Sequence, residues 1–297
     1  HCNVWWNDYE RSGVDSLEGC GDSVCWTGHY LAALAFKYSV TKDQPTLDAI
    51  IAVIDKIDML SRVSGREGFI ARYAGPATDE GYKKYYERYG KADPDRPGFG
   101  VKAFPGVEPF ADLVWLGHSS RDSYDGVNLG LSATWRYVDV PEVRDRIRTL
   151  VERVGDRLIA DGFAVIDGKG NQWGAQDTFK ASWLRTMLSV SPEKYGELDQ
   201  EYGEALREFG ERQPISQYHE QYFSNNLVFV RIAAIAMLES DPDRTAFVRD
   251  TVRRWYTEHL QDDLNAHFSA MYLLITGDDA PTARAAVQGM LADYPAL

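Results

Sequence analysis

Cysteine is scarce in this sequence: the 297 residues contain only Cys2, Cys20 and Cys25, all close to the beginning. Three cysteines cannot all pair within one chain. They therefore form either one disulfide plus one free thiol or a set of small buried thiols. The CxxxxC spacing of Cys20 and Cys25 differs from that of zinc ligands, and no second pair follows it. A disulfide-stapled domain is excluded, and no metal site is expected.

Long apolar runs and positive charge are also lacking. The most apolar stretch, 227–238, is interrupted by Arg231, so no membrane-spanning helix is predicted. The chain has 32 Lys and Arg against 45 Asp and Glu, a net charge of −13. This charge repels phosphate backbones and excludes a general nucleic-acid binder. The expected partner is a small molecule or an oligosaccharide, and the oligomeric state is left open.

Familiar catalytic motifs are missing as well. The sequence has no GxGxxG after a strand and no Walker loop, so no nucleotide cofactor is expected. It also lacks GxSxG and HExxH. The first residue is His1 rather than Met, which fits the removal of a signal peptide and favours a secreted or periplasmic protein.

Helical periodicity dominates the chain, and the predicted helices come in pairs. In three pairs the first helix is apolar nearly all round and ends in a polar turn, whereas the second is amphipathic. The predicted pairs are 26–41 with 46–63, 123–138 with 141–160, 179–190 with 193–211, 225–238 with 244–260, and 264–275 with 281–292. Alternating buried and striped helices predict two concentric layers that are stable only when stacked. The predicted fold is therefore all-α, a single (α/α) toroid domain over 1–297 built from five to six helical hairpins.

Two segments interrupt the helical pattern. Residues 65–120 are rich in glycine, proline and aromatic residues, and we expect a long irregular insertion with one short helix at 83–88. A loop of this length is commonly functional, and it could cover one mouth of the ring. Residues 163–174, FAVIDGKGNQWG, predict a small β-hairpin.

Polar and aromatic residues gather where the first helix of each pair begins. In a toroid these beginnings converge on one mouth. Since buried polar groups cost free energy unless they are satisfied, either ligand contacts or hydrogen bonds within the ring are expected there. The candidate catalytic residues are Asp22, His29, Asp122, Tyr124 and Asp125. The candidate binding residues are Trp26, Tyr30, Arg121, Asn128, Trp183, Arg185, Tyr222, Asn226 and His267.

Spacing supports a site role for several of these residues and leaves alternatives open. Asp22, Trp26 and His29 share one helix face, although Asp22 also suits a helix N-cap and His29 a satisfied core position. Asp122 and Asp125 lie three residues apart, so they can divide acid and base roles. A cap with a helix-dipole partner is the alternative for that pair.

The paired helices, with beginnings such as WTGHYLAALAFKY and SRDSYDGVNLGL, resemble the six-hairpin toroid superfamily of carbohydrate-active proteins. The resemblance implies a funnel-shaped cleft in which sugars stack on aromatic rings. Cleavage by carboxylates is implied for a hydrolase, and cleavage by Tyr, His and Arg groups for a lyase. The leading prediction is a glycoside hydrolase in which Asp22 and either Asp122 or Asp125 act as acid and base. The predicted sugar-stacking residues are Trp26, Tyr30, Tyr124 and Trp183.

Three alternatives stay open at this point. A polysaccharide lyase would use Tyr124 or His29 as base and Arg121 or Arg185 to neutralise a uronate carboxylate. A toroid lyase, isomerase or cyclase acting on a non-sugar molecule could employ Cys25. The last alternative is a non-catalytic binding protein.

Overall fold

Helices account for most of the residues that the structure, a computed structural model, describes. Contacts divide the chain into two compact units, His1–Ala175 and Gln176–Leu297. The described residues are 3–18, 20–78, 103–117, 119–166, 172–173, 177–211 and 222–293. The predicted fold class is confirmed at the level of a mostly helical chain with small antiparallel sheets.

The first unit contains two long helical pairs and three small sheets. Its helices are Ser23–Thr41 (α1), Gln44–Leu60 (α2), Arg121–Tyr137 (α3) and Pro141–Ala160 (α4). Its strands are Asn3–Trp6 (β1), Val14–Glu18 (β2), Ala74–Pro76 (β3), Ala103–Pro105 (β4), Leu113–Leu116 (β5), Val165–Ile166 (β6) and Gln172–Trp173 (β7). All pairings are antiparallel: β1 with β2, β5 between β3 and β4, and β6 with β7.

The second unit contains the three remaining pairs. Its helices are Asp177–Val190 (α5), Pro192–Tyr195 (α6), Asp199–Glu211 (α7), Tyr222–Leu238 (α8), Pro242–Trp255 (α9), Ala266–Thr276 (α10) and Pro281–Asp293 (α11). One wider turn, Tyr256–Leu260, continues α9. Helices α5, α8 and α10 pack side by side, while α7 packs on α5 and α11 packs on α10.

Four of the five predicted helical pairs are confirmed, with ends that differ by a few residues. In the third pair, the single helix predicted at 193–211 is divided into α6, a 3₁₀ turn at Gly196–Leu198 and α7. Local chemistry explains several of the ends. The Asp43 carboxylate accepts a hydrogen bond from the Thr46 N–H at 2.8 Å and caps α2, and Pro141 occupies the first turn of α4. The β-hairpin predicted within 163–174 is confirmed as β6 and β7.

The prediction that 65–120 is irregular apart from one short helix is wrong in part. Two pieces of this segment form the sheet of β3, β5 and β4. The strands have three or four residues each, too few to show an alternating pattern. Pro76 and Pro105 lie on the two edge strands, where a missing N–H donor is tolerated. The short helix predicted at 83–88 lies outside the described residues.

The prediction that first helices are buried all round fails for two of them, because α1 exposes Trp26 and Tyr30 and α10 exposes Leu274. The helices of the second pair do show a clear contrast in burial. Every residue of α3 from Ser123 to Thr134 is buried, whereas α4 buries one stripe that includes Val143, Ile147 and Leu150. A helix buried all round belongs to an inner layer, and a striped helix covers it. Closure into a single toroidal domain stays a prediction.

Glycine brings the backbones of α1 and α3 into direct contact. A Cβ atom on Gly28 would lie 2.0 Å from the Gly126 carbonyl oxygen, and one on Gly126 would lie 2.3 Å from the Cys25 carbonyl oxygen. Further along, a Cβ on Gly130 would lie 2.6 Å from the Gly28 carbonyl oxygen. Contacts therefore advance in the same direction on both helices. The helices are parallel, and both begin at the same end of the unit.

We predict that Gly28→Ala strongly destabilises the protein. The atom that the new methyl group would meet belongs to the backbone, which cannot rotate aside, so the helices must separate. Overpacking of this kind costs roughly 1–3 kcal/mol or more. Urea unfolding, monitored by circular dichroism, measures the change.

Gly289→Ala is the matched control. This helical glycine has open space around its Cβ position, so alanine should be neutral or should stabilise by up to about 1 kcal/mol. Equal stability of the two variants would show that the glycine contact does not control the α1–α3 distance.

Candidate functional site

One extended segment joins the beginnings of α1 and α3. The Val24 N–H at the start of α1 donates to the Arg72 carbonyl oxygen at 3.1 Å. Two residues earlier, the Ile70 N–H donates to the Tyr124 hydroxyl at 3.0 Å, and the Ile70 carbonyl oxygen accepts from the Ser119 hydroxyl at 2.8 Å. These bonds hold the two helix beginnings at a constant separation.

Three carboxylates at the beginnings of α1 and α3 act electrostatically on Cys25. Burial above all, and then the negative charges of Asp125, Asp122 and Asp22 in that order, raise the pKa of the Cys25 thiol to about 12. Their influence places all three near the same thiol. Asp22 immediately precedes α1 as its N-cap residue and the other two belong to α3, so the parallel packing of the helices creates the cluster.

The three carboxylates differ in exposure. Asp125 is only 1% exposed, Asp122 is half-buried and Asp22 is exposed. Asp22 occupies the N-cap position of α1, but within the described residues its side chain makes no capping hydrogen bond. The expectation that Asp122 caps α3 is wrong, because Ser120 is the N-cap and Asp122 lies in the first turn. Capping therefore does not account for either carboxylate.

His29 is held in a defined orientation beside this cluster. Its Nδ1 lies 2.9 Å from the Cys25 carbonyl oxygen, which can only accept, so Nδ1 carries the proton. The ring lies 5.2 Å from the Trp26 ring between centroids. The other nitrogen, Nε2, is buried and has no hydrogen-bond partner among the residues that the structure describes. It is available as an acceptor for a ligand hydroxyl.

The aromatic residues predicted for this helix fall on its open side. Trp26 is 49% exposed and Tyr30 is 43% exposed, although both belong to a helix whose other faces are buried. Large exposed rings near polar groups are typical of binding surfaces. Arg121 opens α3 and is half-buried, and Asn128, one turn after Asp125, is buried.

Tyr124 occupies the core rather than an open cleft. It is 2% exposed, and burial raises the pKa of its hydroxyl above the ordinary range. That hydroxyl accepts the Ile70 N–H, a structural bond between α3 and the preceding segment. The predicted roles in catalysis and sugar stacking do not fit this position.

Two candidates in the second unit are also structural. Trp183 is completely buried, so its ring cannot stack on a sugar. Arg185 forms a salt bridge with the buried Glu239 at 3.4 Å, and its guanidinium lies over the Tyr202 ring at 5.5 Å. The Tyr202 hydroxyl completes the network by donating to Glu239 at 2.5 Å. Arg185 therefore neutralises the charge of the buried Glu239 carboxylate. The spacing of residues in the sequence could not reveal this pairing.

The remaining candidates lie at the beginnings of α8 and α10. The side chain of Tyr222 lies outside the described residues. The Oδ1 atom of Asn226 is buried and has no hydrogen-bond partner in the described part of the chain. His267 follows Asn265, whose side chain caps α10 by accepting the His267 N–H at 2.9 Å. The approach of His267 to Asp22 stays a prediction.

One buried polar contact has no counterpart among the candidates. Arg231 of α8 is only 4% exposed, and its Nη1 donates to the Thr178 hydroxyl of α5 at 2.9 Å. The sequence already indicates such a contact, because a positively charged side chain within an apolar helix requires a hydrogen-bond partner.

The described residues contain neither a metal-binding cluster nor a membrane-spanning helix, and the chain has no match among known proteins. In the described ranges, no three His, Cys, Asp or Glu side chains group as a metal site would require, and no helix there has the length and apolarity to cross a membrane. No family model, no curated protein and no solved structure matches the chain.

We predict that Cys25 in the native protein resists iodoacetamide at pH 8. With a pKa raised to about 12 and a buried sulfur, almost no reactive thiolate is present. Peptide mass mapping should show labelling of Cys25 only after denaturation. Rapid labelling of the native protein would instead indicate an activated thiol.

We predict that His29 is neutral at pH 7 in the Nδ1-protonated tautomer. Burial lowers its pKa below the ordinary value of about 6.5, and the bond to the Cys25 carbonyl offsets this only in part. Because the folded pKa is depressed, protonation should destabilise the fold as the pH falls below about 6.5.

Nitrogen-15 NMR of labelled histidine, with His29→Gln for assignment, distinguishes the two tautomers. A proton on Nε2 above the titration midpoint would contradict the deduced orientation.

Proposed function

We propose that this chain is a glycan-cleaving enzyme of the (α/α) toroid type, acting as a glycoside hydrolase. The observation that carries the proposal is the group of three carboxylates at the joined beginnings of α1 and α3, together with two exposed aromatic rings on α1. Glycoside hydrolysis needs a pair of carboxyl groups in different surroundings and a surface on which sugar rings can stack.

The residues of the first unit can divide the work. Asp125 or Asp122 on one helix and Asp22 on the other would protonate the glycosidic oxygen and activate the attacking water. The bare Nε2 of His29 would accept a hydrogen bond from a sugar hydroxyl. Trp26 and Tyr30 would hold sugar rings by stacking and burial of apolar ring faces.

The proposed toroid rests on the packing within each unit. First helices of successive pairs lie side by side, as α1 with α3 and α8 with both α5 and α10. Second helices pack outside them, as α2 on α1 and α11 on α10. Repetition of this arrangement is how helical hairpins build a two-layered ring.

The contacts of individual residues count against a lyase and against chemistry based on Cys25. A lyase would lack Tyr124 as base and Arg185 as neutraliser, because both side chains are engaged in the core. His29 and Arg121 are the groups that such a reaction could still use. A chemistry based on Cys25 would need a thiolate, which burial and three neighbouring carboxylates disfavour.

We predict that Asp125→Asn abolishes most glycan cleavage while the protein stays folded. Asparagine preserves the shape of the side chain but can neither donate nor accept the catalytic proton. Loss of a positioned acid or base lowers the rate by about 10²–10⁴-fold. Release of reducing ends from a panel of polysaccharides measures the rate, and ultraviolet absorbance of unsaturated products reveals elimination instead of hydrolysis.

The control is Asp243→Asn, which alters an exposed first-turn carboxylate of α9. This variant should keep its full rate and lose at most about 1 kcal/mol of stability. A stable Asp125→Asn variant with normal turnover would make Asp125 structural and would remove the carboxylate pair from α3.

A further inference from the structure

A groove opens between the beginning of α1 and the end of α2, on the side of α1 away from α3. Its volume is about 270 Å³. Ser23, Thr27 and Tyr30 line it from α1, and they recur at intervals of four and three residues, so one face of the helix forms the wall. The rest of the lining comes from α2 and from β3 with the residue before it: Val53, Lys56, Met59, Leu60, Tyr73 and Ala74.

The groove lies at the same end of the unit as the carboxylate cluster. Ser23, which lines it, directly follows Asp22, and the exposed ring of Tyr30 lies between the groove and the open side of α1. A ligand bound at the carboxylates could therefore extend into it. The volume is close to the lower limit of about 300 Å³ for ligand pockets, which suits one small ring rather than a long segment.

The charge in the groove is unexpected for this protein. The chain as a whole carries a net charge of −13, yet Lys56 is the charged residue that lines this groove. Lys56 forms no salt bridge with any residue that the structure describes. A cation without a carboxylate partner, next to hydroxyl groups and an exposed aromatic ring, provides the chemistry that recognises a carboxylated sugar.

We propose that this groove is a binding subsite for a uronate residue of the glycan. Lys56 binds the uronate carboxylate, the hydroxyls of Ser23 and Thr27 contact sugar hydroxyls, and Tyr30 packs against the ring face. The inference rests on the proposed function, because it names the substrate class of the same site. It assigns the carboxylate to a lysine outside the catalytic cluster and leaves cleavage to the carboxylates.

Binding rather than turnover tests the subsite. Tetrasaccharides of galacturonate, glucuronate and mannuronate are compared, by isothermal titration calorimetry, with the same oligosaccharides after reduction of their carboxylates to alcohols. The protein carries Asp125→Asn so that the ligands remain intact. At least one uronate tetrasaccharide should bind about tenfold more tightly than its reduced counterpart, and the difference should shrink as salt is added.

Two variants then locate the contact. Adding Lys56→Gln should remove the preference for the uronate form, and adding Tyr30→Ala should weaken binding of both forms. Lys37→Gln is the matched control, because Lys37 is an exposed lysine on the same pair of helices that does not line the groove. It should leave the preference unchanged.

The outcomes separate the subsite from the proposed function. Equal binding of uronate and reduced forms, binding of neither, or a preference that survives Lys56→Gln would overturn the subsite. Cleavage of neutral glycans that depends on Asp125 would leave the hydrolase proposal standing in that case. Uronate binding that depends on Lys56, in a protein that cleaves no glycan, would support the subsite and overturn the hydrolase.

Discussion

The backbone contact between α1 and α3 sets the geometry on which the rest of the first unit depends. At Gly28 and Gly126 the helices approach so closely that a single methyl group has no room. Because the helices are also parallel, their beginnings lie side by side, and the segment around Ile70 and Arg72 hydrogen-bonds to both. As a result, carboxylates that are a hundred residues apart in sequence raise the pKa of the same thiol, that of Cys25.

Some buried polar side chains satisfy one another, and others have no partner among the described residues. In the second unit, Arg185, Glu239 and Tyr202 satisfy one another, which offsets the cost of removing charges from water. In the first unit, the Nε2 atom of His29 is buried and has no partner among the described residues. Unsatisfied groups of this kind cost stability, and they are found where a ligand completes the hydrogen bonding.

Much of the fold could be predicted because helix formation depends on residues that are close together in the sequence. Apolar residues at intervals of three and four, together with caps such as Asp43, located the helical pairs. Strands β3, β4 and β5 were not predicted because they are very short and because β3 pairs with a strand far along the chain. The grouping of the carboxylates and His29 follows from their positions at helix beginnings. Tyr124 and Arg185 were given roles that their hydrogen bond and salt bridge exclude, and Trp183 one that the burial of its ring excludes.

The sequence by itself determined which segments are helical, which residues of each helix are apolar, and that polar residues concentrate where the first helices of the pairs begin. These properties depend on side chains three or four positions apart, so they can be read without knowing the fold. Only the tertiary structure decided which of those polar residues face the core and which face open space. That choice depends on how helices are rotated against one another. Here the rotation is set by the glycine contact of α1 with α3, whose two halves are far apart in the chain.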